Sequence, residues 1–185
     1  MLKTAKPAKR ISDASFKRLK DQLRLDLIEA QQRVRAAGQF PVIVVLAGVR
    51  GAGIIDTLNL VNTWMDPRWI ATLATDSETE EEREQPPFWR YWRSLPPKGT
   101  MGLYLGGWYA DPMSAFSAGR DNDAAFRARL ARIKDFERTL SDDGALIVKI
   151  WLHLTPAQHR RAHDDHRPDS VLGFRASDEI GRAHV

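Results

Sequence analysis

The 185-residue sequence has no cysteine. Disulfides, thiol nucleophiles and thiolate metal centres are excluded, and the compartment that fits best is a reducing cytoplasm. No apolar run approaches the ~18 residues that a membrane-spanning helix requires. The first ten residues have no apolar stretch of the kind found in a secretory signal, and no acidic residue; they hold Lys3, Lys6, Lys9 and Arg10. The formal net charge of +4 is therefore the charge of this tail, and the remainder of the chain is balanced. A balanced body argues against nucleic acid as the main partner. Residues 1–11 read as a disordered basic arm, with attraction of a polyanion as the alternative reading. Internal repeats and low-complexity segments are also missing. With 43% hydrophobic and 28% charged residues, the composition is that of one globular domain.

The most informative stretch that is present is a glycine loop with a second kind of absence in it. Residues 42–47 (Val-Ile-Val-Val-Leu-Ala) are apolar and largely β-branched, the pattern of a strand buried on both faces. Gly48-Val-Arg-Gly-Ala-Gly53 follows, and a helical pattern through Ile54, Leu58, Val61 and Met65 comes next. Strand, glycine loop and helix N-terminus in that order can cradle phosphate with backbone N–H groups. Gly48 and Gly53 have the G-x-x-x-x-G spacing, but the Lys and Ser/Thr that should follow are Ile54 and Ile55. Three readings stand: a tight turn without ligand, a residual polyanion site and an active site using other residues. In the second, Gly48, Arg50, Gly51, Gly53 and Thr57 form a vestigial phosphate site, with the Arg50 guanidinium as an added donor fork.

The remaining pattern alternates strands with helices. A long helix starts at Ser12 or Asp13 and stops at Gly38. Strands are expected at 69–74, 101–105 and 145–152, and helices at 87–95, 121–140 and from Thr155. Residues 78–84 read as a solvated loop or a first helical turn. This βαβαβαβα order predicts a mostly parallel sheet with helices on both faces, a three-layer αβα architecture.

Other groups could carry chemistry. Arg90 and Arg93 lie among aromatics and either form ion pairs or line a phosphate groove. Lys149 interrupts an apolar strand and needs either a partner carboxylate or a ligand phosphate. Trp108 and Tyr109 are expected to floor the crevice at the strand ends. His159, His163 and His166, with Asp164 and Asp165, could approach a zinc ligand spacing, but read better as a solvated helix.

Taken together these segments resemble the polyphosphate kinase 2 family. The segments are the glycine loop, Asp66-Pro-Arg68, Thr79-Glu-Glu-Glu-Arg83, residues 88–99, Leu103-Tyr-Leu-Gly-Gly-Trp-Tyr109, residues 136–144 and residues 148–155. The likeness is to the N-terminal half of the two-domain members, the polyphosphate:AMP phosphotransferases. It implies a P-loop kinase-like fold over 12–158 and the start of a basic lid over 159–179, with Arg160, Arg161 and Arg167 as lid residues. It also implies polyphosphate and AMP or ADP as ligands, magnesium as cofactor, a second catalytic domain of the same parent chain and a possible homo-oligomer. Residues 180–185 read as a translated adapter sequence and are left out of the fold reasoning.

The departures from the family pattern fall on its chemistry. Where the family has Gly-x-Asp-x-Ala-Gly-Lys, this chain has Arg50 for Asp and Ile54 for Lys. Where the family has Phe-Asp-Arg-Ser-Trp-Tyr, it has Tyr104, Leu105, Gly106 and Gly107 before Trp108 and Tyr109. Losing one preorganised charge-stabilising group typically costs ~10²–10³ in rate. The expectation is a domain without catalytic residues of its own, in which magnesium binds poorly. It would serve a structural, dimerising or polyphosphate-guiding role. A standalone binding module and an unorthodox kinase are the competing classes.

Overall fold

A computed structural model describes residues 11–49, 51–74, 78–155 and 157–158. Arg50, the basic tail, the lid candidates Arg160, Arg161 and Arg167 and the histidine cluster lie outside the described residues.

Four strands form one parallel sheet in the order β2-β3-β1-β4: β1 Val42–Gly48, β2 Ile70–Ala74, β3 Met101–Leu105 and β4 Leu146–Leu152. Val42 is level with Met101 on one side and Leu146 on the other, and Ile70 is level with Met101, so all four strands start together. Nearly all of β1 is buried, as a central strand between two parallel neighbours must be. The chain leaves β1 through residues 54–64, which pack on one face of the sheet, and leaves the adjacent β3 through residues 110–142, which reach the other face. A crevice therefore opens beyond the carboxyl ends of these strands, where the loops after Gly48, Leu105 and Leu152 meet.

Helix α1 spans Asp13–Ala37, capped by the Ser12 hydroxyl, which accepts from the Ser15 N–H, and ended by Gly38 in the left-handed region. Helix α2 is Ile54–Trp64 and packs on β1. The acidic run forms one turn, α3, Glu80–Arg83, closed by a capping box between Thr79 and Glu82. Residues 87–95 do not form the expected helix. Two proline pairs bracket the segment, and Phe88 takes φ 65, so only one turn is regular: α4, Trp89–Trp92. The Phe88 ring stacks on Phe136 with centroids 4.5 Å apart, which holds that unusual backbone in place. A further helix, α5, Ala110–Ser117, follows Tyr109 without having been expected. Helix α6 is Asp123–Asp142, capped by Asn122.

The sheet separates two apolar clusters. On one face Leu46, Leu103 and Leu105 meet Ile54 of α2, with Val44, Leu58, Val61 and Leu152 around them. On the other, Ile43, Val45 and Tyr104 meet Tyr91, Trp108, Ile133, Phe136 and Leu140. The second cluster is built on rings: Trp108 sits edge-on to Tyr91 at 5.5 Å and to Phe136 at 5.0 Å. No helix among the described residues is long and apolar enough to cross a membrane.

Candidate functional site

The glycine loop follows β1 as the sequence predicts, with Gly51 at φ 78 and Gly53 at φ 84. Gly48 is needed for a reason unrelated to phosphate. A Cβ there would lie 2.3 Å from the carbonyl oxygen of Leu152 and 2.9 Å from its Cβ. The loop also turns its groups inward. The Val49 N–H donates to Leu152 O at 3.0 Å, the Ala52 N–H to Val49 O at 3.1 Å, and both the N–H and the hydroxyl of Thr57 to Gly53 O. Asp56 lies in the first turn of α2, its carboxylate facing Gly53 across 3.8 Å from a built Cβ. A carboxylate there suits the helix dipole and repels an incoming phosphate.

Two of the positions that break the kinase pattern, Ile54 and Leu105, touch the same cluster. Ile54 is 8% exposed and Leu105 4%, and both pack with Leu46 and Leu103. A buried cation and its carboxylate partner would have to replace each other's hydration at this place; two aliphatic side chains close it without any polar demand. After Leu105, the chain turns through Gly106 at φ 69 and Gly107 at φ 51, conformations that disfavour side chains, and a Cβ on Gly107 would come within 3.1 Å of Val45. Leu105 and the two glycines after it offer no side-chain oxygen to a magnesium ion.

Among the described residues, the cations singled out from sequence contact other groups of the chain. Lys149 donates to Glu137 Oε2 at 2.7 Å and to the Tyr109 hydroxyl at 3.3 Å. Its ammonium pKa is raised, chiefly by the Glu137 hydrogen bond. Glu137 also accepts from Trp108 Nε1 at 3.0 Å and from the Tyr109 hydroxyl at 2.8 Å. Lys149 thus has a partner carboxylate in Glu137. Trp108 and Tyr109 serve the same network, on the α6 face of the sheet. Arg90 pairs with Glu82, its Nε 3.1 Å from Oε1, and this pairing holds the Glu82 carboxyl below its ordinary range. The Arg93 guanidinium lies 4.4 Å over the Trp89 ring. An open cleft of about 360 Å³ lies beside this group, at the end of β2.

Three carboxylates that organise this region, Asp56, Glu82 and Glu137, lie in segments the sequence marks but carry no role there. Asp56 was legible as an acid in the first turn of a helix. Glu137 was not, because its partners come from the turn after β3 and from β4, both distant in sequence.

A family model described as Polyphosphate kinase 2 matches residues 10–180. The chain belongs to the polyphosphate kinase 2 family. A Pseudomonas aeruginosa protein named polyphosphate:AMP phosphotransferase is 38% identical over 158 residues, 85% of this chain and 32% of the relative. Its namesake in Pseudomonas syringae pv. tomato is 35% identical over 177 residues, 96% of this chain and 36% of the relative. The chain thus spans about a third of the length of these curated relatives. The crystal structure of polyphosphate kinase 2 from Arthrobacter aurescens superposes with a TM-score of 0.80 at 25% identity, covering 97% of this chain and 66% of that one. A Pseudomonas aeruginosa structure assigned to the same family gives 0.83 at 34% identity, covering 99% and 39%. The α/β fold expected from the strand and helix order is therefore that of solved polyphosphate kinase 2 chains.

Proposed function

We propose that this chain is the non-catalytic, N-terminal domain of a polyphosphate-dependent nucleotide phosphotransferase, in the manner of a polyphosphate:AMP phosphotransferase, and that its role is structural. Polyphosphate and AMP or ADP are ligands of the parent enzyme, with turnover in a second domain of the same chain. The observation that carries this reading is the joint placement of Ile54 and Leu105 in one apolar cluster. A site that must neutralise polyphosphate charge cannot work from two aliphatic side chains.

The state of the other charges supports the structural role over polyphosphate guiding. Lys149 and Arg90 are matched by Glu137 and Glu82, and Asp56 places a negative charge at the α2 N-terminus.

The test is a phosphotransfer assay on the purified 185-residue chain with polyphosphate, AMP and magnesium. ADP is expected to form no faster than in the protein-free control. Rapid, magnesium-dependent ADP formation by this chain alone overturns the proposal. Polyphosphate titrated at low salt is expected to bind no more tightly than it does to the Lys149→Ala variant.

A further inference from the structure

Helix α1 is 25 residues long, about 37 Å at ~1.5 Å per residue, and its fixed points all lie toward its C-terminus. Gln31 is its one buried residue. At 5% exposure it is also the one buried polar side chain among the described residues. Its amide clasps the backbone of Asp66: Nε2 donates to Asp66 O at 2.9 Å, and the Asp66 N–H donates to Oε1 at 2.8 Å. The Arg35 guanidinium lies 3.8 Å over the Trp69 ring. Leu27 and Val34, on the side of the helix that carries Gln31, are half-buried. Among the described residues, no α1 side chain belongs to either core cluster. The helix is held by a polar latch rather than by the core.

The seat under this latch is imperfect. Trp69 Nε1 is buried and has no hydrogen-bond partner among the described residues, in the ring that Arg35 covers. A buried donor without an acceptor weighs against the closed arrangement, because water would satisfy it once the ring is uncovered.

The helix is also built to leave as a unit. Both of its caps are its own: Ser12 accepts from the Ser15 N–H, and the Gly38 N–H donates to Val34 O at 3.0 Å. Its length exceeds the ~12–15 residues below which an isolated helix is marginal. The body of the domain takes hold immediately afterwards. Phe40 O accepts from the Gly99 N–H at 2.9 Å, and Pro41 O from the Leu146 N–H at 3.0 Å. Between Ala37 and Phe40 stand only Gly38, at φ 59, and Gln39. A glycine and one neighbour at the end of an element are enough for a hinge.

We propose that α1 is a releasable strap. The chain pivots at Gly38–Gln39, the Gln31 clasp opens, and α1 leaves the corner formed by Asp66 to Trp69 while the sheet stays folded. That corner is then a surface which the chain itself masks and unmasks, and the clasp sets how often. The strap does not depend on whether the chain turns over a substrate.

Hydrogen exchange of the full chain under native conditions, at low protein concentration, tests this. Amides of residues 27–37 are expected to exchange at least ~100-fold faster than those of β1 and β3. They should do so in one step, together with the Asp66 N–H that the clasp protects. Gln31→Leu removes both hydrogen bonds and is expected to speed these same amides by a further factor of about ten, with β1 and β3 unchanged. Arg35→Ala, at an exposed position, should speed them several-fold. Wild-type residues 27–37 that exchange only as fast as β1 and β3 overturn the proposal. So does a Gln31→Leu chain in which α1 and the strands accelerate alike, for the clasp then belongs to the core. A gradient of rates along α1 with Asp66 still protected also overturns it, since that describes a helix fraying in place.

Discussion

Two regions of this domain, the glycine-loop end of β1 and the α6 face of the sheet, treat charge in opposite ways. At the glycine loop, the crevice positions carry Ile54 and Leu105, joined to the core on the α2 face. On the α6 face, Glu137 collects Lys149, Trp108 and Tyr109 into a satisfied polar network. The difference is one of partners. A buried charge persists where other parts of the fold meet its hydrogen-bonding demand, and an apolar contact serves where they do not. The surviving charges here do architectural work between elements, tying α6 to β4 and to the turn after β3.

The comparison breaks most visibly if a charge is forced back into the apolar site alone. Leu105→Asp is expected to destabilise the domain by about 4 kcal/mol, since an unpaired carboxylate enters a closed aliphatic cluster. Ile54→Lys should cost less, about 2 kcal/mol, because a lysine stem can carry its ammonium to the loop surface. Made together, the two should cost at least about 1 kcal/mol less than their sum, because they are neighbours in one cluster. Urea unfolding of the four proteins measures this coupling, and strict additivity would mean that the two positions do not communicate.

The opposite manipulation removes the centre of the polar network. Glu137→Ala leaves an indole N–H, a phenol and an ammonium without their common acceptor, at an expected cost of about 3 kcal/mol. Lys149 is about half exposed and can turn to water, which keeps the figure from being larger. Glu137→Gln retains an acceptor and should recover part of the loss in the same assay.

Smaller effects follow pH. Burial raises the Tyr104 phenol from 10.0 to about 12, and Lys149 is raised above 10.5 by its bond to Glu137. Both groups hold their proton more tightly when folded, so their contribution is complete below pH 10 and declines as pH rises toward about 12. Tyr104→Phe should flatten that alkaline decline. At the acid end the sign is reversed in origin: Glu82 is lowered from 4.5 by Arg90, so its contribution is present above that value and fades as pH falls through the folded one. Glu82→Gln should remove this acid dependence and leave the alkaline one intact, as followed by thermal melts across pH.

Much of the scaffold was legible because it is written in local signals. The β-branched run of β1, the Gly38 stop and the Asp66-Pro67 break each act over a few residues. The short regular turn at Trp89–Trp92 was misjudged as a full helix because the aromatic spacing resembles a helical face; the left-handed Phe88, held by Phe136 from 48 positions away, decides otherwise. Helix α5 starts directly from the turn at Gly107–Tyr109 with no side-chain cap to announce it. At the site, missing residue types could be read directly. The destination of the remaining charges could not, since Lys149 finds Glu137 only once α6 has packed on the sheet.

Gly48 has a broader implication. Its hydrogen atom is the only substituent that lets two neighbouring backbones approach as closely as they do after β1 and β4. A glycine in a signature position can thus be required by crowding between two backbones, whether or not the loop holds a phosphate. Searches that weight such letters heavily will keep returning chains of this kind, and the informative columns are the ones where a different residue would have fitted equally well.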